Sequence, residues 1–403
     1  MASVLNGYCD ELFSQVRKAF EDNFTRHAEI GASLTIYHRG SVAVDLWGGT
    51  IPSTGQEWNR DTLVNVFSVT KGMSAICLHM LVDRGQIELE APVARYWPEF
   101  GCNGKEAISV AMAMSHQAGI PFWQTPIPTN GLLDWELATS TIALATPVWE
   151  PGTSHGYHAI SVGFIWGEIV RRVTGQSIGA FFREQVAGPL GADTWIGLPE
   201  AEEHRVAPLQ LAEEHPNSAM FAKIVAEPDW FGGRVVDNSG DLFNPAVIGG
   251  RAFRAAELPA VGGLASAAGV ARLFAPLALD GAIEGVRLVG PSALPNMRAT
   301  RTASDCDLLF RIPTAFTCGF SKTWGRRADG AGNHSILGEH AFGAPGMGGS
   351  IGYADPDAQL AFGYVMSRHG PGVALNERGQ ALVDAAYRSI GYASDAPGFW
   401  VRP

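Results

Sequence analysis

Two stretches of alternating side chains, one near each end of the chain, constrain the fold more than any other feature of the sequence. Residues 32–37 and 41–47 alternate around His38-Arg39-Gly40, the pattern of two strands joined by a tight turn. Residues 351–354 and 360–366 repeat that pattern around Asp355-Pro356-Asp357. Strands so far apart share a sheet only if the chain between them leaves it and returns. Helical spacing brackets both hairpins: residues 8–28 carry Leu12, Val16, Ala19, Phe20 and Phe24 in register, and residues 375–390 predict a closing helix. The middle differs in kind, with helical segments over 72–84, 161–174 and 266–279 separated by stretches rich in Pro, Gly and Trp. The expected architecture is therefore α+β and discontinuous. Residues 1–66 and 310–403 build an antiparallel sheet flanked by terminal helices, residues 67–309 form a mainly helical region with long loops, and the active site lies between them. Residues 200–256 have little periodicity and predict a long excursion over that site.

Composition narrows the function. A net charge of -11 without a long basic run excludes nucleic acid and anionic membrane as main partners, leaving a small, uncharged or modestly polar substrate. The five cysteines (Cys9, Cys77, Cys102, Cys306 and Cys318) are scattered without a C-x-x-C pair, so neither a disulfide framework nor a zinc site is expected. No apolar run reaches the roughly 20 residues of a membrane span. Charges interleaved with apolar residues at the N-terminus predict an amphipathic helix instead of a secretory leader, which implies a cytoplasmic protein. No cofactor is implied, and oligomeric state leaves no mark on the sequence.

The chemistry centres on Phe67-Ser68-Val69-Thr70-Lys71-Gly72-Met73, where an apolar strand-like run meets a helix. If Ser68 begins that helix, Lys71 lies one turn on, on the same face, within reach of the hydroxyl. Serine needs an adjacent base, and a lysine serves if burial leaves it neutral. The helix N-terminus adds a backbone N–H for an oxyanion. With five lysines in the chain, chance gives roughly 0.3 matches to this spacing. Taken alone, then, the pair reads better as a helix-capping serine and a solvated lysine.

Further motifs favour the catalytic reading. The S-x-x-K element marks a known superfamily. Trp47-Gly48-Gly49, Ala91-Pro92-Val93-Ala94-Arg95-Tyr96-Trp97-Pro98 and Ser115-His116-Gln117-Ala118-Gly119 follow in order, and the chain resembles the class C β-lactamases and penicillin-binding proteins, most closely the family VIII carboxylesterases. The resemblance covers nearly the whole chain. It implies that Pro151-Gly152-Thr153-Ser154-His155-Gly156-Tyr157 is the family's tyrosine element, with Tyr157 handling protons beside Lys71. It also implies that Phe342-Gly343-Ala344-Pro345-Gly346-Met347-Gly348-Gly349 is the strand element, the Met347 N–H joining that of Ser68 as the oxyanion hole while Gly346 and Gly348 admit substrate. Two departures stand out. Ala159 replaces the asparagine that β-lactamases carry two residues after the tyrosine, and Ala344 stands where relatives have a cation or imidazole.

Two G-x-S-x-G matches, at Ser154 and Ser350, are decoys, because a nucleophile elbow needs a strand before and a helix after. His116, His155, His158 and His340 lack an evident acid partner and read as structural; His155 and His158 are the ones expected to line the pocket. Trp123, Trp149, Trp230 and Trp324 lie in irregular stretches and are candidates for an apolar acyl pocket. The expected function is hydrolysis of a small-molecule carboxylic ester through a Ser68 acyl-enzyme. The alternatives are an amidase, peptidase, weak β-lactamase or transacylase using the same three residues, and a non-catalytic penicillin-binding-like protein, for which Ala344 is the best argument.

Overall fold

The computed structural model describes residues 5–210, 227, 230–324, 335–370 and 372–403. Both hairpins form as the alternation predicts. After β1 (Leu5–Cys9) and α1 (Ser14–Arg26), β2 (Gly31–His38) and β3 (Ser41–Gly49) make the first. Arg39 and Gly40 both take positive φ, 53° and 81°, which lets a two-residue turn follow the twist of the strands it joins. The middle of the chain supplies α2 (Val69–Asp83), α3 (Ser161–Thr174) and α4 (Ala267–Phe274), each close to its predicted span. Five short or medium strands follow: β4 (Thr302–Ser304), β5 (Thr314–Phe316), β6 (Ser321–Lys322), β7 (Phe342–Pro345) and β8 (Ile351–Asp355). β9 (Leu360–Met366) completes the second hairpin and α5 (Glu377–Ser389) closes the chain.

Among the described residues nine strands form one antiparallel sheet, ordered β1-β3-β2-β9-β8-β7-β6-β5-β4. β9 pairs with β2 along its length, Gly363 opposite Thr35, so the two chain ends meet at the sheet's centre. Thr302–Ser304 joins as the far edge although it lies in the stretch expected to be helical. The N-terminus also departs from expectation: residues 5–9 pair with β3 instead of starting the helix, which begins at Ser14. The open edge of β3 decides this, because Gly7 crosses it at φ 104°, where any side chain would strike the Asp45 carbonyl.

α1 and α5 cover one face, packing Val16, Phe20, Leu382 and Val383 with Leu34, Leu46, Tyr353 and Phe362 of the sheet. α4 lies against the other face. A methyl at Gly352 would come within 2.4 Å of the Phe274 ring, so this glycine sets how closely helix and sheet approach. Every residue of α2 from Val69 to Leu81 is buried, which makes it a helix without a solvent face, enclosed by the second core. Its Gly72 faces Ala344 of β7, and a methyl there would sit 3.3 Å from the Ala344 Cβ. The head of α2 is thereby brought against the end of β7.

Candidate active site

The chain reaches α2 through Val64–Asn65, paired with Leu264–Ala265. Phe67 then takes φ 43°, a conformation that costs a bulky residue about 1–3 kcal/mol and persists only where neighbours enforce it. Asn65 enforces it: Oδ1 accepts the Phe67 N–H at 3.2 Å, while Nδ2 donates to the Val261 and Gly263 carbonyls at 3.0 and 3.3 Å. The Thr70 hydroxyl donates to the Phe67 carbonyl and accepts the Gly263 N–H at 2.8 Å. This strained turn delivers Ser68 to the N-cap of α2, yet its side chain makes no capping bond. The hydroxyl is free for Lys71 instead, and Lys71 is only 3% exposed, so the reading of a capping serine with a solvated lysine fails on both counts.

Lys71 Nζ lies 3.2 Å from Ser68 Oγ and bonds the carbonyls of Ala159 and Ala260 at 2.7 and 3.1 Å. Burial holds its pKa well below the usual lysine range. A neutral amine has two N–H bonds and one lone pair. The two carbonyls take the N–H bonds, and the lone pair is left facing the serine hydroxyl. The Tyr157 ring lies 4.6 Å from Nζ. Burial raises the phenol above its usual range, which the nearby Ser68 hydroxyl only partly offsets and the charge of Asp307 reinforces. Burial disfavours the charged form of both groups, so it favours a neutral amine and a protonated phenol.

Tyr157 sits on a loop without regular structure, stacked on Phe310 at 4.7 Å between ring centroids and on Phe316 at 5.8 Å. Asp307 holds the loop in place. Both its oxygens accept the Tyr157 N–H at 3.1 Å, and Oδ1 also accepts from the N–H groups of Leu309 and Phe310 at 2.7 and 2.8 Å. The Thr314 hydroxyl donates at 3.1 Å, and His155 bridges Thr302 and Thr314 at 2.7 and 2.8 Å. One buried carboxylate thus fixes both the tyrosine and the phenylalanine stacked on it. Sequence reasoning missed Asp307, which lies in Ser304-Asp305-Cys306-Asp307 with no motif around it.

At the far side of Ser68, neither its own N–H nor that of Met347 has an acceptor among the described residues. The Gly346 N–H donates to the Ser350 carbonyl at 2.7 Å, and the Gly348 carbonyl accepts from Asn376 Nδ2 and the Gly370 N–H, each at 2.8 Å. These bonds bracket Met347 and steady its peptide. Gly346 and Gly348, expected to admit substrate, also let the backbone pack closely, and neither lines the cavities at the site. A methyl on Gly346 would meet the Val66 carbonyl at 2.3 Å, and one on Gly348 the His369 ring at 2.5 Å.

A cavity of about 730 Å³ opens over Ser68, walled by Trp230, Val235, Val236, Phe243, Val261, Phe310 and Met347. Residues 230–243 belong to the predicted excursion, which does border the site; its residues 211–226 and 228–229 lie outside the described residues. His158 and Trp123 do not line this space. His158 is fully buried, donating through Nδ1 to the Gly156 carbonyl at 2.7 Å and accepting the Ile120 N–H on Nε2 at 2.9 Å, and burial pushes its pKa down to about 3. It is a neutral strut between two loops, as His155 is a strut beneath Asp307. Trp123 donates to the Ala138 carbonyl at 3.1 Å and packs edge-on against Phe164. Both residues turn inward because their main-chain partners lie inside. Of the two serines in G-x-S-x-G matches, Ser154 is exposed, and buried Ser350 points its hydroxyl at Met366 Sδ, 3.7 Å away. Among the described residues no group of three or more His, Cys, Asp or Glu could hold a metal, and no helix is long and apolar enough to cross a membrane.

A serine heading a buried helix, its lysine one turn on and a tyrosine from a second loop, beside the end of an inner strand of an antiparallel sheet, define the fold class of β-lactamases and penicillin-binding proteins. The chain belongs to the beta-lactamase family, whose model matches residues 16–387. The esterase/beta-lactamase LipL of Mycobacterium tuberculosis is 33% identical over 370 residues, 90% of this chain and 82% of that protein. Among solved structures, a family VIII carboxylesterase is 36% identical with a TM-score of 0.81, covering 96% of this chain and 100% of that one. A penicillin-binding protein homologue from Caulobacter crescentus is 33% identical with a TM-score of 0.82, over 96% and 100% of the two chains.

Proposed function

We propose that this chain is a serine hydrolase that cleaves small carboxylic esters through an acyl-enzyme on Ser68. The lone pair of Lys71 takes the hydroxyl proton as Oγ attacks the ester carbonyl. The N–H groups of Ser68 and Met347 receive the oxyanion. The proton passes by way of Tyr157 to the departing alkoxide, and water, deprotonated by the same amine, then frees the acid. The observation that carries the reading is the setting of Lys71, with two carbonyls occupying its N–H bonds and the serine at its third position.

Three features favour esters over lactams. The walls of the first cavity are apolar, suiting an uncharged acyl chain at about 0.8 kcal/mol per buried methylene. Ala159 gives its carbonyl to Lys71 and has no amide side chain with which to bind a lactam's amide. The solved structure at 36% identity is that of a family VIII carboxylesterase. In this reading residues 1–66 with 310–403 form one domain, residues 67–309 the other apart from the edge strand Thr302–Ser304, which joins the first, and substrate enters between them. Five free cysteines support residence in the reducing cytoplasm.

The test is labelling with a fluorophosphonate and location of the adduct by mass spectrometry, beside turnover of a p-nitrophenyl ester series and of nitrocefin. An adduct on Ser68 with ester turnover well above lactam turnover is expected. Predominant lactam turnover would overturn the ester assignment, and absence of any adduct would overturn the hydrolase.

A further inference from the structure

A second cavity, of about 640 Å³, shares Tyr157, Phe310 and Val373 with the first, so the two meet at the phenol. Their chemistry differs. The lining of the first carries no charged side chain, whereas the second carries Lys322, with Ser321 beside it on β6. Lys322 is half-buried and forms no ion pair among the described residues. Its one polar contact is the Arg298 carbonyl at 3.4 Å, a long bond that leaves most of the ammonium's donors unused. Nearby Arg298 adds positive charge, while Glu339, Asp355 and Asp357 act on Lys322 only from beyond ion-pairing distance. Desolvation lowers its pKa, and among the described residues only these distant carboxylates work against it.

The buried lysines Lys71 and Lys105 also lack an ion pair, but each bonds two backbone carbonyls instead. The chain has 40 acidic residues against 29 lysines and arginines, and buried Arg378 has its carboxylate partner in Glu29 at 3.0 Å. A cation facing a cavity without a carboxylate is a binding group awaiting an anion.

We propose that the second cavity is a subsite for a carboxylate on the alcohol side of the substrate, with Lys322 as its counter-ion. The inference rests on the ester reading and names the substrate class: esters with an uncharged acyl chain in the Trp230 cavity and an acidic leaving group beyond Tyr157. The anion is held by charge, while the hydrolytic residues remain Ser68, Lys71 and Tyr157.

The test uses a matched pair, 4-(butanoyloxy)benzoate and its methyl ester, with kcat/KM measured for each. Wild-type protein is expected to favour the carboxylate ester by about tenfold, mainly through KM, and to lose that preference as salt rises. Lys322→Gln should bring the ratio near unity, and Lys322→Arg should keep it. Because the ratio is taken within one protein, a general loss of activity cancels. A ratio unchanged by Lys322→Gln, or a wild-type preference for the methyl ester, overturns the subsite. Calorimetric titration with benzoate separates the two proposals, since it needs no turnover. Benzoate binding that weakens about tenfold in Lys322→Gln, in a protein that cleaves neither ester, would sink the ester reading and keep the subsite. No benzoate binding, or equal binding by both proteins, would sink the subsite.

Discussion

The two halves of the site are held by different means. Ser68 and Lys71 share one turn of one helix, and several groups fix them: the carbonyls of Ala159 and Ala260 on the amine, and the side chains of Asn65 and Thr70 on the turn before the serine. Tyr157 comes from an irregular loop, and what fixes it is one side chain, Asp307, 150 residues away. The first half divides its support among two carbonyls and two side chains. The second depends on one carboxylate, so it is the half that a remote substitution detunes.

Four experiments would break or sharpen this contrast. Ser68→Ala is expected to lower kcat by about 10⁴-fold or more with Tm unchanged, since it removes the acyl-forming oxygen and almost no buried area. An active Ser68→Ala protein would place the nucleophile elsewhere and dissolve the comparison. Lys71→Met, close in shape but without a lone pair, should cost about 10²–10⁴-fold in kcat, the range of a general base. If fluorophosphonate labels the Met variant as fast as wild type, the amine is not the base.

Asp307→Asn tests the other half. Its amide N–H₂ would face backbone N–H donors, a mismatch of about 1–3 kcal/mol that should appear as a lower Tm. Turnover should fall about 10- to 10²-fold as Tyr157 loses its position, while Ser68 still accepts label. Equal loss of labelling and turnover would mean that the halves are not independent.

The smallest effect is in the pH profile. Lys71 acts as the neutral amine, so kcat/KM should rise with pH through its lowered pKa, and acid should switch the enzyme off by protonating it. Tyr157 acts with its proton on and burial raises its pKa, so the plateau should extend above pH 10.0. The charge of Asp307 helps keep that proton on, so Asp307→Asn should draw the alkaline break down and leave the acid limb in place. Movement of the acid limb instead would put Asp307 in contact with the wrong half.

What was legible in the sequence follows the same division. The hairpins, the long helices and the Ser68–Lys71 pair are local patterns, and period and spacing expose them. Tyr157 came into view only through resemblance to a family, because nothing in its own loop marks it. Asp307 was invisible, since its partners are backbone N–H groups that carry no residue identity. His158 and Trp123 were assigned to the pocket because an aromatic in a Gly- and Pro-rich loop gives no sign of which way it turns. Their hydrogen bonds to Ile120 and Ala138 decide that. The N-terminal strand was missed because the vacancy it fills belongs to β3.

The contact between Gly72 and Ala344 has a consequence for the oxyanion site. The two N–H groups are mounted on separate parts, one on the helix head and the other past the end of β7, and the spacing between those parts is set by two of the smallest residues. They act as a shim. A methyl on Gly72 would press on the Phe274 ring at 2.9 Å as well as on Ala344, and the gap between the donors would widen while every hydrolytic side chain stayed intact.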